Sequence, residues 1–368
     1  MNDRRVKDGW VDGGTAEHGQ VEIDLIDSVS TVPAREFDRL DSSAGAAGCY
    51  DRMLQRESDG RWRRTYLRCV DGESGRLRAL IPLYRTRGRT WPDPAYDPRT
   101  WGLPEEVADE CTAQDSVIVG SYADLRTGLH VDPGLRSPEN LRELLARIAR
   151  VAAEENRSLV FPYVFREAQR VLTAAEGAIA WKVLGQEAHL RGVADPAWET
   201  RLPGRMRRNF RLDRAAIAAA GLGGSMHAWH EVEDSVSELI AEHNVRLGRF
   251  DHAEFVKLRN RQWDRCEAVE FFVFATQSST VNGYVTAWVW EDELDLYEIG
   301  LRGEAGPDRF AAYVDLAFGQ PLRFAQARGL NRIRLGMAAE KTKSVRGAVF
   351  TNVYGGVLNA RETKRLAG

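Results

Sequence analysis

Six arginines and one aspartate lie between positions 201 and 214, a local charge of +5 in a chain of 368 residues that carries −3 overall. Everything outside that window therefore sums to −8. The stretch reads Arg201-Leu-Pro-Gly-Arg205-Met-Arg207-Arg208-Asn209-Phe210-Arg211-Leu-Asp-Arg214, then Ala-Ala-Ile217 and the glycines 221, 223 and 224. Pro203 suits a first helical turn, the alanines 215–220 favour helix, and the glycines end it, so a helix is predicted over 201–220. Met206, Phe210 and Ile217 share one stripe, while Arg207, Arg211 and Arg214 stack at i, i+4 and i+7 on another. Such a helix lies on the protein by its apolar stripe and points an arginine comb outward. A guanidinium suits phosphate because it stays charged and donates two parallel hydrogen bonds. Arg205, Arg207, Arg208 and Arg211 are the candidate phosphate contacts, although a solvated helix face would carry the same pattern.

Other chemistries find less support. His227-Ala-Trp-His230-Glu231 sets two imidazoles near a carboxylate without a third ligand at metal spacing. Cys49, Cys69, Cys111 and Cys266 are scattered, so neither a metal knot nor a disulfide framework is expected. There is no nucleophile-elbow sequence for serine hydrolysis, and no glycine-rich fingerprint for nucleotide hydrolysis or hydride transfer. No apolar run approaches the roughly 18 residues of a membrane span, and the N-terminus lacks a signal-like apolar core. A cytoplasmic protein without a membrane span is the expectation.

The length suggests more than one domain. Residues 1–20 are polar and glycine-rich, the composition of a flexible tail. In the first half, Val21–Ile26 alternates like a strand, a helical stretch follows near 33–40, and Thr65–Val70 and Arg76–Tyr84 form a hairpin about Asp71–Gly75. Four prolines in 90–104 exclude regular structure there, leaving an aromatic loop that either covers a ligand or forms a rigid rim. Ser137-Pro138 caps an amphipathic helix carrying Leu141, Leu144, Leu145 and Ile148. A buried strand over 158–165, a helix over 167–175 and a strand near 189–192 complete the half. The second half repeats the order: helices at 232–246 and 253–266, a three-strand meander at 269–276, 283–290 and 294–301, and a helix over 308–328 broken near Pro321. A strand at 331–335, a short helix at 340–346 and a last strand at 348–354 end it. The expected boundaries are a first domain over 21–198, the arginine helix over 199–224 and a second domain over 225–368.

Meander, crossover helix, splayed strand, short helix and strand is the order of a GNAT acyltransferase domain. Two such domains joined through Arg205-Met-Arg207-Arg208-Asn209-Phe210-Arg211 resemble the Fem-like transferases. Ile81-Pro82-Leu83-Tyr84, Leu330–Gly336 and Lys341-x-Lys343-x-x-Arg346-Gly347 carry the rest of the resemblance, which spans roughly residues 20–358. It implies an α/β protein of two tandem GNAT-like domains with mixed sheets. It also implies an enzyme joining an amino acid to an amine acceptor, with aminoacyl-tRNA as cosubstrate and no resident cofactor.

The chain departs from ordinary GNAT enzymes where they seat the pyrophosphate of acyl-CoA. The stretch Gly300-Leu-Arg302-Gly-Glu304-Ala-Gly306-Pro307-Asp308 is out of register, Pro307 removes a donor, and Glu304 and Asp308 repel phosphate. Aminoacyl-tRNA is therefore the preferred donor, acyl-CoA the alternative, and a non-catalytic RNA- or precursor-binding protein a further one. Within the resemblance, Tyr297 and Glu298 on the central strand of the second meander are the candidates for guiding the amine and taking its proton, unless one of them faces the core. Lys341, Lys343 and Arg346 are candidates for the donor's phosphate or an acidic acceptor group, or form a solvated face. Asp124 and Arg126 are candidates for holding the acceptor, a cell-wall peptide or a small amine of a specialised biosynthetic pathway. Neither oligomeric state nor the amino acid transferred is legible.

Overall fold

The computed structural model describes residues 21–40 and 44–368; the tail expected over 1–20 lies outside them. The chain opens with β1 (Val21–Ile26), α1 (Ala34–Phe37), α2 (Tyr50–Arg56), β2 (Trp62–Asp71) and β3 (Leu77–Thr86). Short turns and α3 (Glu105–Ala108) follow, then β4 (Ser116–Val119) and α4 (Pro138–Ala153). The Ser137 hydroxyl accepts from the Asn140 amide and caps α4, as its sequence predicts. Next come β5 (Ser158–Phe165), buried throughout, α5 (Arg166–Ala175) and β6 (Ala180–Arg191). The proline-rich loop is a rim rather than a cover. Trp91, Tyr96 and Trp101 are buried, and the Tyr96 hydroxyl accepts from the Leu125 amide at 2.9 Å.

After α6 (Trp198–Arg201) the arginine stretch forms α7 (Gly204–Ala219). Then follow β7 (Gly223–His227), α8 (Trp229–Arg246), α9 (Ala253–Asp264) and the meander β8 (Glu270–Gln277), β9 (Asn282–Trp290), β10 (Glu293–Arg302). The helix expected over 308–328 is broken as predicted, into α10 (Pro307–Val314), a wide π-helical turn Asp315–Gly319, and α11 (Gln320–Arg328). Pro321 has no amide proton to continue the ladder, and the wider turn takes up the mismatch. The chain closes with β11 (Arg332–Gly336), α12 (Glu340–Ser344), β12 (Val349–Leu358) and α13 (Ala360–Ala367).

By packing, the chain divides into residues 1–184 with 353–368, and residues 185–352. The sequence placed these divisions near 198 and 225 and kept the C-terminus in the second half. Strand pairing explains the difference, because each unit closes its sheet with a strand from the far side of a boundary. In the first unit the order is β1-β2-β3-β4-β5-β12, with β4 and β5 parallel. In the second it is β7-β8-β9-β10-β11-β6, with β10 and β11 parallel. The two orders correspond strand for strand, and the other neighbouring strands within each unit pair antiparallel. The first core is built from β2–β5, α4 and α5 around Leu83, Val117, Leu145, Ile148 and Phe161. The second gathers Phe274, Val285, Leu294, Leu316, Phe318 and Ile333. The α/β class with mixed sheets is as expected.

Candidate functional site

Across β9 and β10 the register runs Leu296 to Ala287 and then Ile299 to Val285, so Tyr297 and Glu298 together oppose Thr286. This bulge twists the strand and re-aims both side chains. The Glu298 amide donates to Thr286 Oγ1 at 3.2 Å. Helix α8 crosses β10 at Gly300, where a Cβ would meet the Ile240 amide nitrogen at 2.8 Å, so only glycine permits the approach.

Helix α9 supplies what holds the bulge. Arg259 donates to Glu298 Oε1 from Nε at 3.2 Å and Nη2 at 2.7 Å, and Asn260 Nδ2 donates to Oε2 at 2.7 Å. Arg259 also bridges to Asp251, Nη2 to Oδ2 at 2.8 Å. Desolvation opposes the charge on Arg259, but Glu298 and Asp251 outweigh it and hold the guanidinium charged. Asp251 is held low as well: burial raises it, but the hydrogen bonds and charge of Arg259 outweigh that. Beneath, Trp263 and Trp288 stack at 3.8 Å between ring centroids, with the Tyr297 ring tilted against Trp288 at 5.1 Å. Tyr297 is thus part of an aromatic floor, half-buried like Glu298.

Asp251 also lines an open groove of about 500 Å³ between α8 and the start of α9, with Glu238, Glu242, Arg246 and His252. Of its three carboxylates, Asp251 is paired with Arg259 and Glu242 with Arg302, which leaves Glu238 without an ion pair among the described residues. Its lip is apolar: Phe250 is 83% exposed, Val245 and Phe255 are exposed, and the His252 ring lies between Phe250 and Phe255 at 4.9 and 5.8 Å. A groove of this kind suits an amine carrying an apolar portion. Arg259, Asn260, Asp251 and the tryptophans escaped sequence analysis, since an Arg-Asn pair inside an amphipathic helix carries no signal of its own.

The arginine helix divides by face. Arg205, Arg207, Arg208 and Arg211 are all exposed. Arg207 donates to the Thr200 carbonyl at 2.9 Å, and Arg214 pairs with Glu199 at 2.8 Å. Arg205, Arg208 and Arg211 make no ion pair or hydrogen bond among the described residues and leave their forks open. Phe210 and Asp213 are buried underneath.

Lys341 is exposed, but its neighbours require correction. Lys343 is buried, and its Nζ donates to the carbonyls of Leu335, Gly336 and Met337 at 2.7, 3.0 and 3.0 Å. Burial lowers its pKa to about 8. Arg346 is buried in a two-pronged pair with Asp213, Nε to Oδ2 at 2.6 Å and Nη2 to Oδ1 at 2.7 Å. Neither presents charge to a donor; both fasten the strand end and α12. Asp124 is likewise internal, its carboxylate pinned at 2.8 Å by both Arg52 and Arg56. Burial pushes its pKa up, but the two guanidiniums overcome that and hold it at about 2. Arg126 is buried too, just past two left-handed residues, Asp124 and Leu125. With both oxygens taken by two arginines, Asp124 braces the turn instead of facing an acceptor.

The crossover helix opens with α10, capped by Gly306 and with Pro307 in its first turn, and Asp308 accepts from Thr280 Oγ1 at 2.9 Å. A carboxylate thus occupies the end of the helix that would favour an anion. Among the described residues no three His, Cys, Asp or Glu side chains gather as metal ligands, and no helix is long and apolar enough to cross a membrane.

The chain matches no family model and no curated protein. Its backbone is similar to several solved structures. FemX aligns with a TM-score of 0.57 at 10% identity, covering 94% of this chain and 100% of that one. A tandem GNAT protein from the clavulanic acid biosynthesis pathway gives 0.53 at 13%, covering 93% and 99%. The C-terminal domain of a protein described as a lysylphosphatidylglycerol synthetase, from Agrobacterium fabrum, gives 0.52 at 13%, covering 90% and 95%. At such identities the likeness is one of fold, and the fold is the tandem GNAT-like one.

Proposed function

We propose that this protein is an N-acyltransferase that moves an aminoacyl group from aminoacyl-tRNA onto an amine bound in the groove between α8 and α9 of the second unit. The observation that carries the proposal is the chain of contacts from that groove to the bulge, Asp251 to Arg259 to Glu298. An aminoacyl ester already holds the free energy of the reaction, so the protein has to orient the amine and manage one proton. Glu238 offers one open carboxylate to the acceptor as an ammonium, which gives a first proton to solvent before it attacks. Glu298 Oε2 accepts one hydrogen bond from Asn260, and a carboxylate oxygen has room for a second. That remaining lone pair can accept from the acceptor nitrogen, with Tyr297 flanking it. The neutral amine nitrogen bonds to the carbonyl carbon, its second proton passes to Glu298, and as the bond to the ribose oxygen breaks that proton is handed on to the ribose oxygen.

The donor assignment is supported by the open forks of Arg205, Arg208 and Arg211, and by an α10 start that disfavours a pyrophosphate. An acyl-CoA donor is the second reading, favoured only by likeness of fold to a tandem GNAT protein. Salt titration of aminoacyl-tRNA binding tests the choice. Phosphate contacts release counterions, so log K falls with log salt, and Arg208→Ala with Arg211→Ala should reduce the slope by about two. Tight binding of an acyl-CoA with no response to tRNA would transfer the proposal to the second reading.

A further inference from the structure

In the first unit, Arg63 at the start of β2 and Arg85 at the end of β3 stand directly opposite each other in the antiparallel register. Like charges in that position repel. Arg87 and Arg157 join them around a hollow of about 240 Å³, completed by Thr86, Gln114 and Glu155. Four guanidiniums meet one carboxylate there. Glu155 lies 2.6 Å from Arg157 Nε and 3.5 Å from Arg85 Nε, and Glu154 is further off. Arg85 Nε and Arg157 Nη1 are buried without a hydrogen-bond partner, although such groups are costly to leave unpaired. Burial lowers the pKa of Arg85; Glu155 opposes this, and Arg157 and Arg63 lower it further. The fold thus holds excess positive charge with aimed donors in a concave, polar place. It is the end of the sheet where β4 and β5 begin, away from the loop that feeds the first turn of α4.

We propose that this hollow is a binding site for a diphosphate-bearing small ligand, held by Arg63, Arg85, Arg87 and Arg157. Two adjacent phosphate groups match the charge excess better than one carboxylate, and convergent planar forks suit their oxygens. The small volume favours a compact anion over a nucleic-acid duplex.

Calorimetric titration of the full chain with pyrophosphate tests this, with a short RNA duplex as the second probe. Pyrophosphate should bind at least tenfold more weakly to Arg85→Gln/Arg157→Gln and equally well to Arg170→Gln on α5. Binding unaffected by the double substitution, or no binding, overturns the proposal. So does RNA that binds through these arginines while pyrophosphate does not. Thermal melts supply an independent readout. Without ligand, Arg63→Gln should hold or raise the melting temperature, because it removes a repulsion, and it should reduce the pyrophosphate-induced rise. A fall in melting temperature without ligand would mean that these arginines serve the fold, and would overturn the assignment.

Discussion

Replacing Asp213 by alanine isolates the contact that fastens the arginine helix. Arg346 is 4% exposed and Asp213 8%, with two charged hydrogen bonds of 2.6 and 2.7 Å between them. Arg346 Nη1 also donates to the Thr342 carbonyl at 2.8 Å, and the guanidinium lies over the rings of Phe310 and Phe318 at 5.6 and 5.3 Å. Removing one partner of a buried pair costs about 3–5 kcal/mol, because the other charge stays buried and uncompensated. Contact with the two rings offsets roughly 1 kcal/mol of that, which puts Asp213→Ala near 3 kcal/mol. Removing both charges as Asp213→Ala/Arg346→Met should cost less than the two single changes summed, by about 2 kcal/mol or more. Urea unfolding followed by tryptophan fluorescence measures this, fitted to the transition of residues 185–352, since two units need not melt as one. The transition of the first unit should stay where it is. A loss under about 1 kcal/mol, or additive single and double variants, would refute the assignment of Arg346 as a buried anchor.

Glu298→Gln should lower turnover roughly 100-fold while the fold survives, since Asn260 Oδ1 is buried without a partner and an amide flip can answer the new donor. Tyr297→Phe should cost less. Turnover within a few-fold in single-turnover transfer assays would remove Glu298 from the chemistry. Lys343 gives a pH signature of known sign. Its folded pKa of about 8 lies below the ordinary 10.5, so the unfolded chain binds more protons between those values and stability rises with pH there. Unfolding free energies of wild type and Lys343→Met across pH 7–11 should therefore diverge in favour of wild type, and a flat difference would contradict the burial.

Much of the architecture was legible because apolar periodicity and turn residues set it. The meander, the capped helix at Pro138 and the break near Pro321 all stand close to where the sequence puts them. What escaped was polar material placed inside. Helix α2 has Arg52, Met53 and Arg56 on its buried face, so no apolar period betrays it. Strand β6 begins at Ala180, well before the expected 189, because Lys182, Gln186 and Glu187 dilute its pattern. In the candidate site the bulge at Tyr297 and Glu298 lies on the expected strand. The clamp on it depends on Arg259 and Asn260 of α9 reaching Glu298 of β10, a tertiary contact that spacing along the chain does not encode. The same limit misassigned Lys343, Arg346 and Asp124. A charged residue reads as solvent-facing until its buried counter-charge or carbonyl partners are known.

The return of β12 and α13 to the first unit bears on how the chain is made. Val353–Leu358 of β12 pair with β5, and α13 packs against α4 with Leu366 in the same core. The first unit's sheet therefore lacks one edge throughout synthesis of residues 185–352. Domains usually fold in order as they leave the ribosome. Here the later-made unit can finish first, while the earlier one waits with the open edge of β5, a strand of eight buried residues ready to pair with any passing strand. A stop codon just before β12 would spare the unit still being finished at the exit tunnel and strand the one already outside. Its nascent chains should collect chaperones on the segment translated first.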